Sequence, residues 1–222
     1  MPYSRRDPVL HPTAIADLRP TQMTVGLLEV ERKRGDWHKK DEAKKTEALA
    51  THMVPVVLGP GGVRYITDHH HLARALWDDD QREVFVMVIG DLRKADAANF
   101  WTLMDYHGWT HPFDPSGRRC DYSDLPKTVA GLADDPYRSL AGALRQAGGF
   151  AKDSTPFSEF VWADYFRARL KAEDIRQDYH GAVAQALTLA KSADADYLPG
   201  WSGAHDIAAG PAPAKKQRAK KS

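Results

Sequence analysis

The chain has 222 residues, 42% of them apolar, with 31 Lys and Arg against 30 Asp and Glu for a formal net charge of +1. That length and apolar content suffice for one large domain or two small ones with a packed core, and the charge balance excludes an overall basic field of the kind that draws nucleic acid to a whole surface. The single cysteine, Cys120, excludes an intramolecular disulfide, and no run approaches the ~20 apolar residues of a membrane-spanning helix.

The opening "MPYSRRDPVLHPTAIADLRP" lacks the apolar centre of a signal peptide. With one cysteine, this predicts a cytoplasmic protein in a reducing compartment. "TAIADLRP" reads as a short strand entering a turn at Pro20. "TVGLLEVERKR" reads as a helix capped by Thr24, with Val25, Leu28, Glu29 and Arg32 at helical spacing. "DEAKKTEALATHM" reads as a second helix, capped by Asp41, whose apolar face of Ala43, Leu49 and Met53 is thin. "VPVVLG" and "GVRYIT" form a strand pair around Gly59-Pro60-Gly61-Gly62, and "HHHLARALW" is the helix that follows. "REVFVMVIGD" is a nearly continuous apolar strand, which predicts burial on both faces.

After Asp91 the pattern turns helical. "KADAANFWTLMDYHG" is a helix ending near Gly108, and "GWTHPFDPSGRRCDYSDLP" is a long loop. Asp135-Pro136 opens a helix that Gly148-Gly149 closes. "TPFSEFVWADYFRARL" offers Phe157, Phe160, Val161, Tyr165 and Phe166 for burial, and "IRQDYHGAVAQALTLAKS" is the last helix. The expected class is α+β: a small α/β core with a short mixed sheet over 1–92, a mostly helical extension over 93–192, and a flexible basic tail over 193–222 that ends in "AKKQRAKKS".

The chemistry concentrates in "YITDHHHLARALW", residues 65 to 77. Successive helical residues differ by about 100°, so His69, His70 and His71 cannot share a face as metal ligands do. His107 and His111 are four apart, but Gly108 and Pro112 place them in a loop. No metal site is expected. A strand running straight into a helix instead leaves backbone N–H groups at the positive end of the helix dipole, where an oxyanion binds. Asp68 suits that end as a cap. It would equally serve as a base, or hold a magnesium ion that arrives on substrate phosphates. The amides of His70 and His71, with imidazole N–H groups beside them, would donate to the anion.

"VPVVLGPGGVRYITDHHHLARAL" resembles the core of the ParB/sulfiredoxin superfamily, in which a strand, a turn and a helix bind nucleotide phosphates. "LRPTQMTVGLLEVERKRGDW" resembles the first box of the ParB-like nuclease families. "DDPYRSLAGALRQAGGF" and "PFSEFVWADYFR" look like the helical extension of one such subfamily, so the likeness spans about residues 10 to 190. The resemblance implies a phosphate seat at the 67–72 turn, with Thr67, His69, His70 and His71 as binding residues. It matches Asp68, His70 and His71 to the Asp-His-His of its kinase-type motif, and Glu29 to the acidic residue proposed there to activate the substrate hydroxyl. His69 stands where that motif has glycine. Leu72 stands where it has a phosphate-gripping arginine, a cation that Arg138 would replace through its guanidinium fork. No cysteine occupies the position that sulfinic acid repair requires.

Two functions follow. As an enzyme the protein would bind ATP, ADP or CTP, with Mg2+, or a phosphorylated small molecule. It would then catalyse phosphoryl transfer or phosphodiester hydrolysis, with Glu29 and Asp68 as catalytic residues. As a binding module it would hold DNA through its helical half as a homodimer gated by nucleotide, although no helix-turn-helix pattern or basic face is evident there. No membrane partner is expected.

Overall fold

The computed structural model describes residues 11–203. A five-stranded mixed sheet forms from β1 (His11–Ala14), β2 (Leu18–Pro20), β4 (Val54–Leu58), β5 (Arg64–Ile66) and β6 (Glu83–Asp91), in the order β1-β6-β4-β5-β2. β4 pairs antiparallel with β5 across the Gly59–Gly62 turn and parallel with β6. The strand pair and the helix after it, α3 (His70–Asp78), form as the sequence predicts. On one face Val54, Val56, Ile66, Val84 and Val86 pack with Val30 and Trp37 of α1 (Leu27–His38) and with Ala73 and Leu76 of α3. On the other, Val57 packs with Phe100 and Met104 of α4 (Ala97–Tyr106). The α2 helix (Glu42–Thr51) is capped by Asp41, whose side chain accepts from the Lys44 amide, and it buries no residue fully. The thin apolar face expected of it is what the fold shows.

The extension builds a second core. Leu140 and Leu144 of α5 (Pro136–Gln146) pack with Trp162 and Phe166 of α6 (Ser158–Arg167). Ile175 of α7 (Ala172–Gln177) and Ala186 of α8 (Tyr179–Lys191) complete it. The two halves are not segregated, because Val129 and Leu132 belong to the core that packs on the sheet. The α+β class stands.

Several expectations are corrected. Thr24 does not cap α1. It lies in a two-residue strand, β3 (Thr24–Val25), paired in parallel with β7 (Ala133–Asp134). Gly26 occupies the cap position and supplies no side chain, so the Leu27 and Leu28 amides donate instead to Asp134 Oδ1 at 3.0 Å and Ser139 Oγ at 3.3 Å. A Cβ on Gly26 would lie 2.5 Å from Ser139 Oγ and 2.6 Å from its amide nitrogen, so only glycine lets α1 and α5 meet this closely. β6 is buried on one face only, in its first half, with Phe85 on the other face half-buried. Val84 and Val86 are buried, whereas Met87, Val88 and Ile89 are exposed, because β1 pairs no further than Val86 among the described residues. The last predicted helix is two, broken at Asp178, which caps α8. Residues 193–203 are not a loose tail: Ala195 and Leu198 are buried, and Trp162 Nε1 donates to the Pro199 carbonyl at 2.8 Å. The basic run of the tail lies outside the described residues.

Asp134→Ala removes an acceptor from the first turn of α1 and is expected to cost about 0.5–2 kcal/mol, a fall in Tm of about 2–4 °C per kcal/mol for a domain of this size. Gly26→Ala is expected to cost more, since its Cβ meets α5 backbone. Thermal melts followed by circular dichroism rank the two, and equal or stabilised melting would remove this cap from the account.

Candidate functional site

The turn between β5 and α3 opens onto a cleft of about 570 Å3 walled by α1, α2, α3, α5 and the 152–159 segment. Glu29, Lys33 and Trp37 recur along one face of α1 and line the cleft, with Lys40 just beyond the helix end. Asp68, His69, His71 and Leu72 come from the start of α3, Arg138 and Arg145 from α5, and Ser158 and Glu159 from α6. Leu49, Leu72 and Leu76 give it an apolar flank.

The start of α3 differs from expectation in one respect. Asp68 does not cap it. Its carboxylate is exposed and accepts the amide of the next residue, His69, at 2.6 Å. His69 is the cap residue by position, in the left-handed conformation, and its side chain accepts no helix amide. The amides of His70, His71 and Leu72 therefore keep no hydrogen-bond partner among the described residues, at the positive end of the helix.

The histidine rings behave otherwise than read. His70 is buried, and its Nε2 accepts the Thr21 amide at 3.2 Å. Burial holds its pKa down at about 3. His71 is buried too, and its Nε2 accepts the Gly26 amide at 2.9 Å. Burial, with Arg138 nearby, holds it well below the usual imidazole range. Both rings are neutral with a lone pair on Nε2, so neither offers an Nε2–H to a phosphate. They are ties that bind α3 to the chain before α1. The Thr67 hydroxyl is likewise turned away from the cleft and donates to the Pro55 carbonyl at 3.3 Å.

Glu29 does reach the turn. Its Oε2 lies 3.2 Å from Arg138 Nη1 and 3.6 Å from His71 Nε2, and its Oε1 lies 3.7 Å from Lys33 Nζ. Since His71 is neutral, only the two cations pair with it. Arg138 is 9% exposed, its guanidinium lies over the Phe160 ring, and its Nε has no partner. Asp135 fixes the start of α5, accepting the Tyr137 amide at 2.9 Å and pairing with Arg167 at 2.6 Å. Burial raises its pKa, while Arg167 pulls it back.

Gly142 is a residue that sequence reasoning missed. A Cβ there would lie 2.8 Å from Glu29 Oε2 and 3.2 Å from Arg138 Nη1. The signal was an isolated glycine inside a helical pattern, which usually has a packing reason. Elsewhere, His111 packs among Phe113, Phe157 and Phe160. Burial, with Arg167 beside it, lowers its pKa to about 4. The loop cations Arg118 and Arg119 pair with Asp114 and Asp105.

Fold and site together define an α+β protein in which a strand–turn–helix unit of a mixed sheet opens onto a cleft closed by helices from the same chain. The chain belongs to the family described as "Putative ParB-like nuclease", whose model matches residues 11–168. It is similar to the crystal structure of protein Atu1540 from Agrobacterium tumefaciens, at 43% identity and a TM-score of 0.82, over 88% of this chain and 99% of that one. No curated protein matches it. No helix among the described residues is long and apolar enough to cross a membrane.

Two desolvated histidines, the buried His70 and the half-buried His111, set an acid limit. An unfolded histidine takes its proton near pH 6.5, whereas His70 and His111 hold theirs off to about 3 and about 4. Between those values the unfolded state binds the extra protons, so stability falls as pH falls, by up to about 1.4 kcal/mol per pH unit for each such group. His111→Phe keeps the ring packing and removes one titration. Urea melts at pH 6.5, 5.5 and 4.5 are expected to show a shallower decline in the variant, and parallel declines would contradict the assignment.

Proposed function

We propose that this protein binds a nucleotide or another phosphoester in the α1–α3–α5 cleft and catalyses phosphoryl transfer or phosphodiester hydrolysis there. One observation carries the reading: the unpaired amides at the start of α3 share a cleft with a nine-tenths-buried arginine and a carboxylate paired to it. The amides of His71 and Leu72 seat the phosphate, and Arg138 of α5 adds its charge within the same cleft. Once Arg138 turns to the phosphate, Glu29 is released to accept the proton of a hydroxyl or water that attacks phosphorus.

Asp68 stands at the mouth of the same turn and orients the attacking group. Among the described residues no three His, Cys, Asp or Glu side chains converge as metal ligands. A single carboxylate is nonetheless what a magnesium ion needs when it arrives on substrate phosphates, and Asp68 would hold such an ion, which neutralises phosphate charge. Family membership supports a phosphodiester as one substrate class.

The test is a thermal-shift panel of ATP, ADP and CTP with and without magnesium, followed by phosphate release. Binding at a hundredfold excess over Kd is expected to add about 2.7 kcal/mol of stability. Glu29→Gln is expected to keep the ligand-induced rise in Tm and to lose turnover by about 10²–10⁴-fold. A wild-type protein that neither shifts with any of the three nor cleaves single- or double-stranded DNA would refute the reading. DNA binding without cleavage, steeply dependent on salt, would move the protein to the class of binding modules.

A further inference from the structure

Arg138 and Arg145 stand seven residues apart on α5, so both project from one face of that helix, about 10 Å apart along its axis. Both line the cleft, and the residue between them on that face is Gly142, which puts no side chain in the gap. Each arginine is held by one glutamate, and neither is saturated by it. Arg138 donates from Nη1 to Glu29 Oε2 at 3.2 Å and leaves its Nε buried without a partner. Arg145 Nε lies 3.0 Å from Glu159 Oε1, near enough for charge attraction, yet it is buried and makes no hydrogen bond. The two Nη groups of Arg145 make none either among the described residues, and its side chain is 35% exposed.

Lys152, on the segment that leads into α6, also lines the cleft, and it has no hydrogen-bond or ion-pair partner among the described residues. The acid next to it is already committed: Asp153 accepts the Thr155 amide at 2.7 Å and the Thr155 hydroxyl. A buried guanidinium N–H without an acceptor is costly and calls for an explanation. Two of them along one wall of an open cleft, with an uncompensated lysine on the same cleft, describe donors whose acceptors arrive with a ligand.

We propose that Arg145, with Lys152, forms a second anion subsite of this cleft, and that the ligand is an extended phosphoester carrying two oxyanions. One sits at the α3 turn beside Arg138, and the other, about two helical turns further along α5, takes the free Nη fork of Arg145. The inference rests on the reading of the cleft as a phosphate site and adds a requirement on its substrate. A compact monophosphate engages one arginine only, whereas a ligand laid along α5 engages both.

The experiment is calorimetric titration of full-length wild type, Arg145→Gln and Lys152→Ala with ADP, hexyl phosphate and hexane-1,6-diyl bisphosphate, whose phosphates are held apart by an extended chain. Wild type is expected to bind the bisphosphate at least about tenfold more tightly than hexyl phosphate, the worth of one hydrogen-bonded contact to a charged group. Arg145→Gln is expected to lose that preference while holding hexyl phosphate as wild type does, and Lys152→Ala to lose part of it. Should Arg145→Gln melt below wild type, Lys152→Ala, at an exposed position, decides by losing or keeping the preference. Wild type that binds ADP but shows no such preference, or a preference that survives in Arg145→Gln, overturns this inference alone. Wild type that binds none of the three overturns it together with the phosphate reading, so the two failures are told apart.

Discussion

The site depends on how the first turn of α1 satisfies its amides. A helix start leaves N–H groups that must find acceptors, and Gly26 offers none from its own side chain. They are met by Asp134 and Ser139, more than a hundred residues along the chain. This bond set can form because Gly26 has no Cβ to hold α5 away. Glu29 lies two residues beyond Leu27, and Arg138 immediately precedes Ser139, so the cap that joins the helices also brings the carboxylate and guanidinium within 3.2 Å. Gly26 does one more thing: its amide donates to His71 Nε2 and ties in α3. The starts of α1, α3 and α5 therefore converge on one residue.

Three helix starts at one corner give it a positive potential before any side-chain charge is counted. The neighbours fit that field. His70 and His71 are kept neutral by burial, so they add no charge and serve as acceptors for backbone amides. Asp135 takes the start of α5 and Arg167. Glu29 is one of the carboxylates that line the space, and it is matched by Arg138 and Lys33 rather than left to compensate the helix ends alone. On the proposed reading, an incoming phosphate would compete with Glu29 for Arg138, and that competition would turn a salt bridge into a free base.

Much of this was legible in the sequence, and for physical reasons. The β4–β5 hairpin and α3 were carried by β-branched residues, a Gly-Pro-Gly-Gly turn and a helical apolar period, all local signals. Asp41 and Asp135 were readable as caps because a cap acts within three residues. Thr24 was misread because the strand partner that claims it, Ala133, is remote in sequence. The histidines were misread because a ring's role is set by what it faces. Nothing local distinguishes an imidazole that donates to a ligand from one that accepts Thr21 or Gly26 amides across 49 and 45 residues. β6 looked buried throughout because composition reports apolarity, not how far the neighbouring strand extends. Gly142 carried a weak signal whose meaning, room for Glu29 and Arg138, appears only when two distant helices are docked.

The helical extension is accordingly a structural part of the cleft rather than an appendage to the sheet core. The core alone presents unpaired amides at α3 and a leucine, Leu72, on the wall beside them, and so lacks a cation fixed on its own turn. The cation comes from Arg138, whose position is set by Asp135 at its own helix start, by the Phe160 ring of α6 beneath its guanidinium, and by the space above Gly142. Each of these belongs to residues 135–160. Anything that loosens the docking of α5 on α1 therefore withdraws the arginine from Glu29, which keeps Lys33 as its remaining cation. A single interface, α5 on α1, thus sets whether the carboxylate and the guanidinium of the cleft meet.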